Sequence, residues 1–221
     1  MDIIKFDVYR GPNLGVYISV NDKIGLVPMG FAESKSEKLA GYLDIEILHT
    51  AVANTRLIGA LSVMNNNGIL LPITAYQNEY DYLKEVTDME VGVLDTKFNA
   101  LGNVICANDK GAVVSTLLSK EECKTISDVL GVEVVQKKIA GSNLSGVVLS
   151  ANNSGAAIHP GASDAEIRTV SNVMGVSVEP SSINNGIPYV SSGILANDSC
   201  IVVGSLTSGP EIMNLTRAFL N

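Results

Sequence analysis

Few residues in this chain could do covalent or metal chemistry: Cys106, Cys123 and Cys200, with His49 and His159. A cysteine becomes a nucleophile when a neighbouring base or cation stabilises its thiolate, and none of the three has such a motif beside it. Cys106 falls two residues before Asn108 in an apolar run and reads as a small buried strand residue. Cys123 follows Glu122 inside a predicted helix, and Cys200 stands where comparable turns end in Gly68, Gly111 and Gly155. The two histidines have no partner at ligand spacing. No GxxxxGK[ST] or GxGxxG run is present; the polar stretch Gly141–Gly146 falls at a boundary between units. The sequence therefore predicts no catalytic residue, no metal and no cofactor.

Charge narrows the partners. The formal net charge is -8, with 15 Lys and Arg against 23 Asp and Glu, and Lys137-Lys138 is the closest approach to a basic run. Nucleic-acid affinity comes mainly from Lys and Arg on phosphate, so a basic protein is the expected partner and naked nucleic acid is disfavoured. Three unpatterned cysteines argue for free thiols in a reducing compartment. The N-terminus lacks signal-peptide character, and no apolar stretch approaches membrane-spanning length. A cytoplasmic protein without membrane contact is expected.

The elements that must position any site come from internal repetition. Asn-rich turns at Asn21, Asn65, Asn108, Asn152 and Asn197 are 44, 43, 44 and 45 residues apart. Each lies between two short apolar runs, such as Gly15–Val20 and Ile24–Val27, and reads as a hairpin whose Asn and Gly supply positive φ. Downstream stand capping boxes, Ser34 with Glu37, Ser119 with Glu122, Ser163 with Glu166 and Ser208 with Glu211, with Asn78 and Asp81 as a weaker variant. Apolar residues at helical spacing follow. A closing alternation (Ile45 and Ile47, Val91 and Val93, Val132 and Val134, Val176 and Val178) ends the first four units. Each repeat reads strand, strand, helix, strand.

The fifth unit reaches Asn221 without a closing strand, while Ile4, Phe6 and Val8 alternate at the N-terminus with no unit of their own. Counted cyclically, the step from Asn197 to Asn21 is 45 residues, and the five steps account for all 221. The expected fold is a closed α/β ring in one domain, monomeric, with repeats at about 11–54, 55–99, 100–143, 144–188 and 189–221, the last completed by 1–10.

Such a ring of ββαβ units resembles the pentein fold, a five-bladed α/β propeller with pseudo-five-fold symmetry. Several stretches resemble the translation initiation factor six family in particular: Arg56-Leu57-Ile58-Gly59, Gly68-Ile69-Leu70-Leu71-Pro72, Ala100-Leu101-Gly102-Asn103 with Asn108-Asp109, and His159-Pro160. The chain looks like the short archaeal form, so phosphorylation of a eukaryotic-type tail is not carried over. The resemblance implies a non-enzymatic factor that binds the large ribosomal subunit, chiefly through a basic ribosomal protein near the sarcin-ricin loop, with ribosomal RNA contact secondary. Bound there, it would block the small subunit in initiation, in subunit maturation or in both. Two other readings stay open: a guanidine-modifying enzyme of the same fold, and a general protein-interaction scaffold.

Six residues are the candidate partner contacts: Leu101, Gly102, Asn103, Asn108, Asp109 and Arg56. Asn103 breaks its column, since the cyclic equivalents are Val16, Ala60, Val147 and Ser192 and the site reads as a strand position. An unpaired polar group there is costly if buried, so Asn103 is either a contact or an internal bond between blades. Arg56 is either a rim ion pair or an interface anchor. The turn asparagines recur for backbone reasons, and Asp109 is open to the same explanation.

The closed ring makes a direct prediction. Deleting residues 1–10 should abolish cooperative unfolding in a urea titration, and a truncated chain with an unchanged midpoint would contradict closure.

Overall fold

In the computed structural model, which describes residues 2–220, each turn asparagine bonds to its own turn. The side-chain Oδ1 of Asn65 accepts from the N–H groups of Asn67 and Gly68, both at 3.0 Å. Asn21, Asn108, Asn152 and Asn197 repeat this at 2.7–3.1 Å. None of the five has a positive φ. The expectation that these residues were chosen for left-handed backbone is corrected: they recur because a short amide side chain can close its own turn. Gly68, Gly111 and Gly155 are likewise not left-handed. A Cβ there would lie 2.1, 2.1 and 1.8 Å from the carbonyl oxygens of Val129, Val173 and Ala218, so glycine lets the next blade's helix pack directly on the strand.

The strands are β1 (Asp2–Phe6), β2 (Ser19–Val20), β3 (Ile24–Pro28), β4 (Glu46–Thr50), β5 (Val63–Met64), β6 (Gly68–Pro72), β7 (Glu90–Leu94), β8 (Ile105–Ala107), β9 (Gly111–Val114), β10 (Glu133–Gln136), β11 (Leu149–Ala151), β12 (Gly155–Ile158), β13 (Ser177–Pro180), β14 (Ile194–Ala196) and β15 (Cys200–Gly204). They form five three-stranded sheets, each with an antiparallel hairpin and a parallel closing strand. The fifth sheet is β1-β15-β14, so the N-terminal strand completes the last blade, with Asp2 to Phe6 opposite Cys200 to Gly204.

Eight α-helices are present among the described residues. Three are single turns, α1 (Leu14–Tyr17), α3 (Ile58–Leu61) and α5 (Leu101–Val104); the longer ones are α2 (Glu33–Leu43), α4 (Gln77–Val86), α6 (Lys120–Leu130), α7 (Asp164–Met174) and α8 (Gly209–Phe219). The single turns occupy segments read as the outer part of the first strand. Four residues are too few to show a helical period. No helix is long and apolar enough to cross a membrane among the described residues.

Three helix starts are as the sequence indicated: Glu122, Glu166 and Glu211 accept from the N–H groups of Ser119, Ser163 and Ser208. Two are corrected. In the second blade the carboxylate is Glu79, bonded to the Tyr76 N–H at 2.9 Å, rather than Asp81. In the first, α2 begins after Ala32 without a side-chain cap, and Ser34 and Glu37 form no box. The cap register shifted because a Ser-x-x-Glu match ignores where the preceding turn ends.

Five apolar clusters hold the blades together, and each draws residues from neighbouring blades. Val27, Leu39 and Leu43 of the first blade, for instance, pack with Leu195 and Val202 of the fifth. Fully burying one such aliphatic side chain contributes about 1.5–3 kcal/mol, so each shared cluster helps to hold neighbouring blades together.

The turn asparagines also link blade to blade. Nδ2 of Asn21 donates to the Asn65 carbonyl at 2.8 Å, Asn65 to Asn108 at 3.1 Å, Asn108 to Asn152 at 3.0 Å, Asn152 to Asn197 at 2.8 Å and Asn197 to Asn21 at 3.3 Å. The cycle closes on itself. Asn65→Asp keeps the size but replaces two donor bonds, to the Asn108 and Leu130 carbonyls, with repulsion. It should cost about 3 kcal/mol, whereas Ser199→Ala on the exposed turn should cost under about 0.5 kcal/mol. Urea midpoints check this, and equal midpoints for the two variants would contradict it.

Candidate functional site

The ring has two unlike ends. The five hairpin turns make one, here the turn end. The single helical turns, the 3-10 turn Val190–Gly193 and the loops after the closing strands make the other, the corner end. A cavity of about 120 Å³ lies on the axis between the single turns and the inner strands, and one of about 30 Å³ lies among the turn asparagines.

This geometry separates the six candidate contacts. Leu101, Gly102, Asn103 and Arg56 lie at the corner end, while Asn108 and Asp109 lie at the turn end, beyond β8. Leu101 is fully buried. Gly102 is a packing residue: a Cβ there would stand 2.0 Å from the Gly59 carbonyl oxygen. Asn108 is buried with its side chain committed to the cycle. The Asp109 carboxylate accepts from the Asn66 N–H at 2.8 Å, from Asn66 Nδ2 at 2.6 Å and from Asn153 Nδ2 at 2.7 Å, which ties it into the turn end.

Asn103 differs from these. It sits in the single turn α5, not in a strand, and is half-buried. Its backbone carbonyl accepts from Gly146 and Val147 N–H at 3.0 and 3.2 Å, so the blade-to-blade bond uses the main chain. The side-chain amide has no hydrogen-bond partner among the described residues and is free to meet another molecule. Arg56 is exposed, with its guanidinium 5.4 Å from the Tyr9 ring centroid and no ion pair among the described residues.

Two features of the corner end escaped the sequence reading. Leu57, Leu144 and Tyr189, 40–51% exposed, occupy one repeat position just before their turns. Aligning that column would have revealed an apolar rim. Exposed cations also collect here, with Arg10, Arg56, Lys97 and Lys138 on four successive corners. The turn end carries exposed Asp2, Asp44, Glu46, Asp88, Glu90, Glu133 and Asp198. The lysines of the turns themselves, Lys23 and Lys110, are spent on the carbonyls of Asn66, Asn153 and Gly175.

The thiols are not activated. Burial pushes Cys106 up to about 12, despite a backbone hydrogen bond from Ala151. Burial also raises Cys123 and Cys200. His49 Nε2 pairs with Ser36 Oγ at 3.1 Å, and His159 Nδ1 accepts from the Gly161 N–H at 2.9 Å. No cluster of His, Cys, Asp and Glu able to hold a metal occurs among the described residues.

Comparison with known proteins gives the family. The eIF-6 family model matches residues 3–218. The chain belongs to the eIF-6 family. It is 79% identical to translation initiation factor 6 of Nitrosopumilus maritimus (strain SCM1), over 100% of both chains. It is 63% identical to the Cenarchaeum symbiosum (strain A) factor over 99% of each. Against that of Pyrococcus furiosus (strain ATCC 43587 / DSM 3638 / JCM 8422 / Vc1) the identity is 47%, over 99% of this chain and 98% of the relative. In this eIF-6 family chain, then, the two of the six candidates whose side chains make no hydrogen bond or ion pair among the described residues, Asn103 and Arg56, lie at the corner end.

The corners of that end are held by carboxylates. Glu79 takes the N–H groups of Ala53 and Asn54, and Glu211 those of Asn185 and Gly186 together with the Ser182 hydroxyl. Burial pushes Glu211 up, but the Ser208 N–H, Ser182 hydroxyl, Gly186 N–H and Ser208 hydroxyl outweigh it and hold the carboxyl down at about 2. The folded value lies below the ordinary one, so this contribution is complete above about pH 4.5 and is lost as pH falls toward 2. Glu211→Gln should therefore destabilise by about 1–3 kcal/mol at pH 7 and progressively less on acidification. A pH-independent difference in urea midpoint would refute the assignment.

Proposed function

We propose that this chain binds the large ribosomal subunit through its corner end and thereby keeps the small subunit from joining. As a fold it is then a pentein-type five-bladed α/β propeller in one domain, acting as a cytoplasmic monomer without catalysis. It serves translation initiation and, by the same block, large-subunit maturation.

The observation that carries this reading is the polarity of the ring in a chain of this family. A ribosome-facing surface must tolerate nearby phosphate. The corner end offers Arg10, Arg56, Lys97 and Lys138 beside the exposed acids Asp95 and Glu121, an apolar rim and the unpaired Asn103 amide, whereas the turn end is mainly acidic. Its chief partner is a basic ribosomal protein near the sarcin-ricin loop, with ribosomal RNA secondary, because -8 overall favours a cationic partner. Asn108 and Asp109 then act as framework for the ring, and Asn103 and Arg56 as contacts.

Purified large and small subunits sedimented on a sucrose gradient test this. The chain should travel with the large subunit and reduce the joined-ribosome peak. Asn103→Asp should weaken co-sedimentation about tenfold, the scale of a lost interface hydrogen bond to a buried partner. A chain that stays at the top of the gradient with joining unaffected would overturn the reading.

A further inference from the structure

The five corners are not alike, and the odd one adjoins Asn103. Four close with a single antiparallel bridge: Val8 with Gly11, Val52 with Thr55, Ile139 with Ser142 and Ile183 with Ile187. All four contain left-handed residues, such as Tyr9 and Arg10 or Ala53 and Asn54. The corner between β7 and α5, residues 95–99, has neither feature. It is one residue shorter: α3 begins 12 residues after the start of β4, but α5 begins 11 after the start of β7.

The shortening changes the chemistry. Thr96 takes the buried place of Val8, Val52, Ile139 and Ile183. The helix-start carboxylate of the third blade, Glu122, meets the Thr96 hydroxyl, where Glu79 and Glu211 hold corner N–H groups. The segment presents exposed Asp95, Lys97 and Asn99, with the Lys97 ammonium 5.1 Å from the Phe98 ring centroid. Beside it runs a groove of about 410 Å³ lined by Asp95, Glu121 and Glu122 together with Val93, Leu94 and Ser119.

A ring of five similar blades poses a recognition problem. Features shared by all blades, such as the turn that follows each corner, would let a partner engage in five rotations about the axis. Only residues that break the repeat can select one rotation. The strongest departures at the corner end, the shortened corner and Asn103, are adjacent in chain and space. We propose that residues 95–99 together with Asn103 set the single rotational register in which the ring docks, by accepting a basic polypeptide segment along the Asp95–Glu121 groove.

The proposal rests on the ribosome-binding reading above and specifies which corner meets the partner and what that partner presents. An amide side chain sets N–H donors beside a carbonyl acceptor and can bond both the C=O and the N–H of a polypeptide backbone. Three carboxylates along the groove attract Lys or Arg and repel phosphate, so a protein segment fits better than RNA.

The test is a graft. Replacing Thr96-Lys97-Phe98 with Val-Ala-Asn-Thr, the sequence of residues 52–55, restores the common corner, and Glu122 stands ready to hold it as Glu79 does. The graft should keep cooperative unfolding but lose tenfold or more in affinity for purified large subunits. Wild-type affinity in the graft overturns the proposal. If the graft does not fold, Asp95→Asn with Glu121→Gln decides. Several-fold weaker binding supports a basic polypeptide, whereas unchanged or tighter binding, the result expected on RNA, overturns it. A wild-type chain that does not bind large subunits would instead defeat the ribosome reading, so the two failures are distinct.

Discussion

The asparagine cycle at the turn end is the interaction on which the rest of the ring depends. Each asparagine does two jobs with one amide: its oxygen folds its own hairpin and its nitrogen hands on to the next blade. Local turn formation and global closure are thereby coupled. All five residues are buried, so a missing partner would leave a polar group unsatisfied at a cost of about 1–3 kcal/mol. No described buried side-chain N or O atom lacks a partner. A four-blade arrangement or an open arc would strand at least one of these amides, which is how the sequence specifies the number of blades as well as their shape.

Closure then constrains the packing outside the cycle. Nδ2 of Asn65, Asn108 and Asn197 also reaches the last-turn carbonyls of Leu130, Met174 and Leu43, each belonging to the next blade's helix. The helix is thus drawn onto the strand, and only glycine leaves room for it at positions 68, 111 and 155. At the other end of each helix the cap carboxylate grips the preceding corner. The first blade departs from this. Lys35 occupies the third helical position of α2 and donates to the Asp7 carbonyl at 2.5 Å, so the seam where β1 closes the ring is joined by a cation instead of a carboxylate.

Much of this was legible in the sequence because repetition multiplies a weak signal. One Asn-led turn says little, but five at nearly constant spacing, three of them ending in Gly, determined the blade count, the order of elements and the role of the N-terminal strand. The reasons behind the residues were less legible. A turn glycine suggests positive φ, whereas the glycines at 68, 111 and 155 answer to a helix backbone more than 60 residues away in sequence. The single turns at α1, α3 and α5 were hidden because four residues carry no period. Asn103 stood out in the sequence because a polar residue broke a largely apolar column, and its side-chain amide is unpaired among the described residues. Arg56 could not be sorted from sequence, since its aromatic contact, Tyr9, lies in another blade. Asn108 and Asp109 looked like contacts because family resemblance marks a segment and does not distinguish framework from surface.

The charge pattern bears on whether the ring's polarity serves stability or contact. All five long helices start at the corner end and finish at the turn end. Helix dipoles favour acids at the start and bases at the finish, by about 0.3–1 kcal/mol per charge. The start is well served, since Glu79, Glu122, Glu166 and Glu211 double as caps. The finish is not: only Lys84 and Arg217 are basic last-turn residues, while Asp44, Asp88 and Glu133 stand just beyond helix ends. Stability alone would have placed lysines there. An acidic turn end therefore costs a little folding free energy, and the offsetting benefit must lie in what this face meets or keeps away. Opposite it, the cap carboxylates Glu79, Glu166 and Glu211 are consumed by backbone N–H groups, while Asp95 and Glu121 stay exposed beside the cations. The same framework thus presents a mainly acidic face on one side and a face of mixed charge on the other, a difference built into the fold before any partner is met.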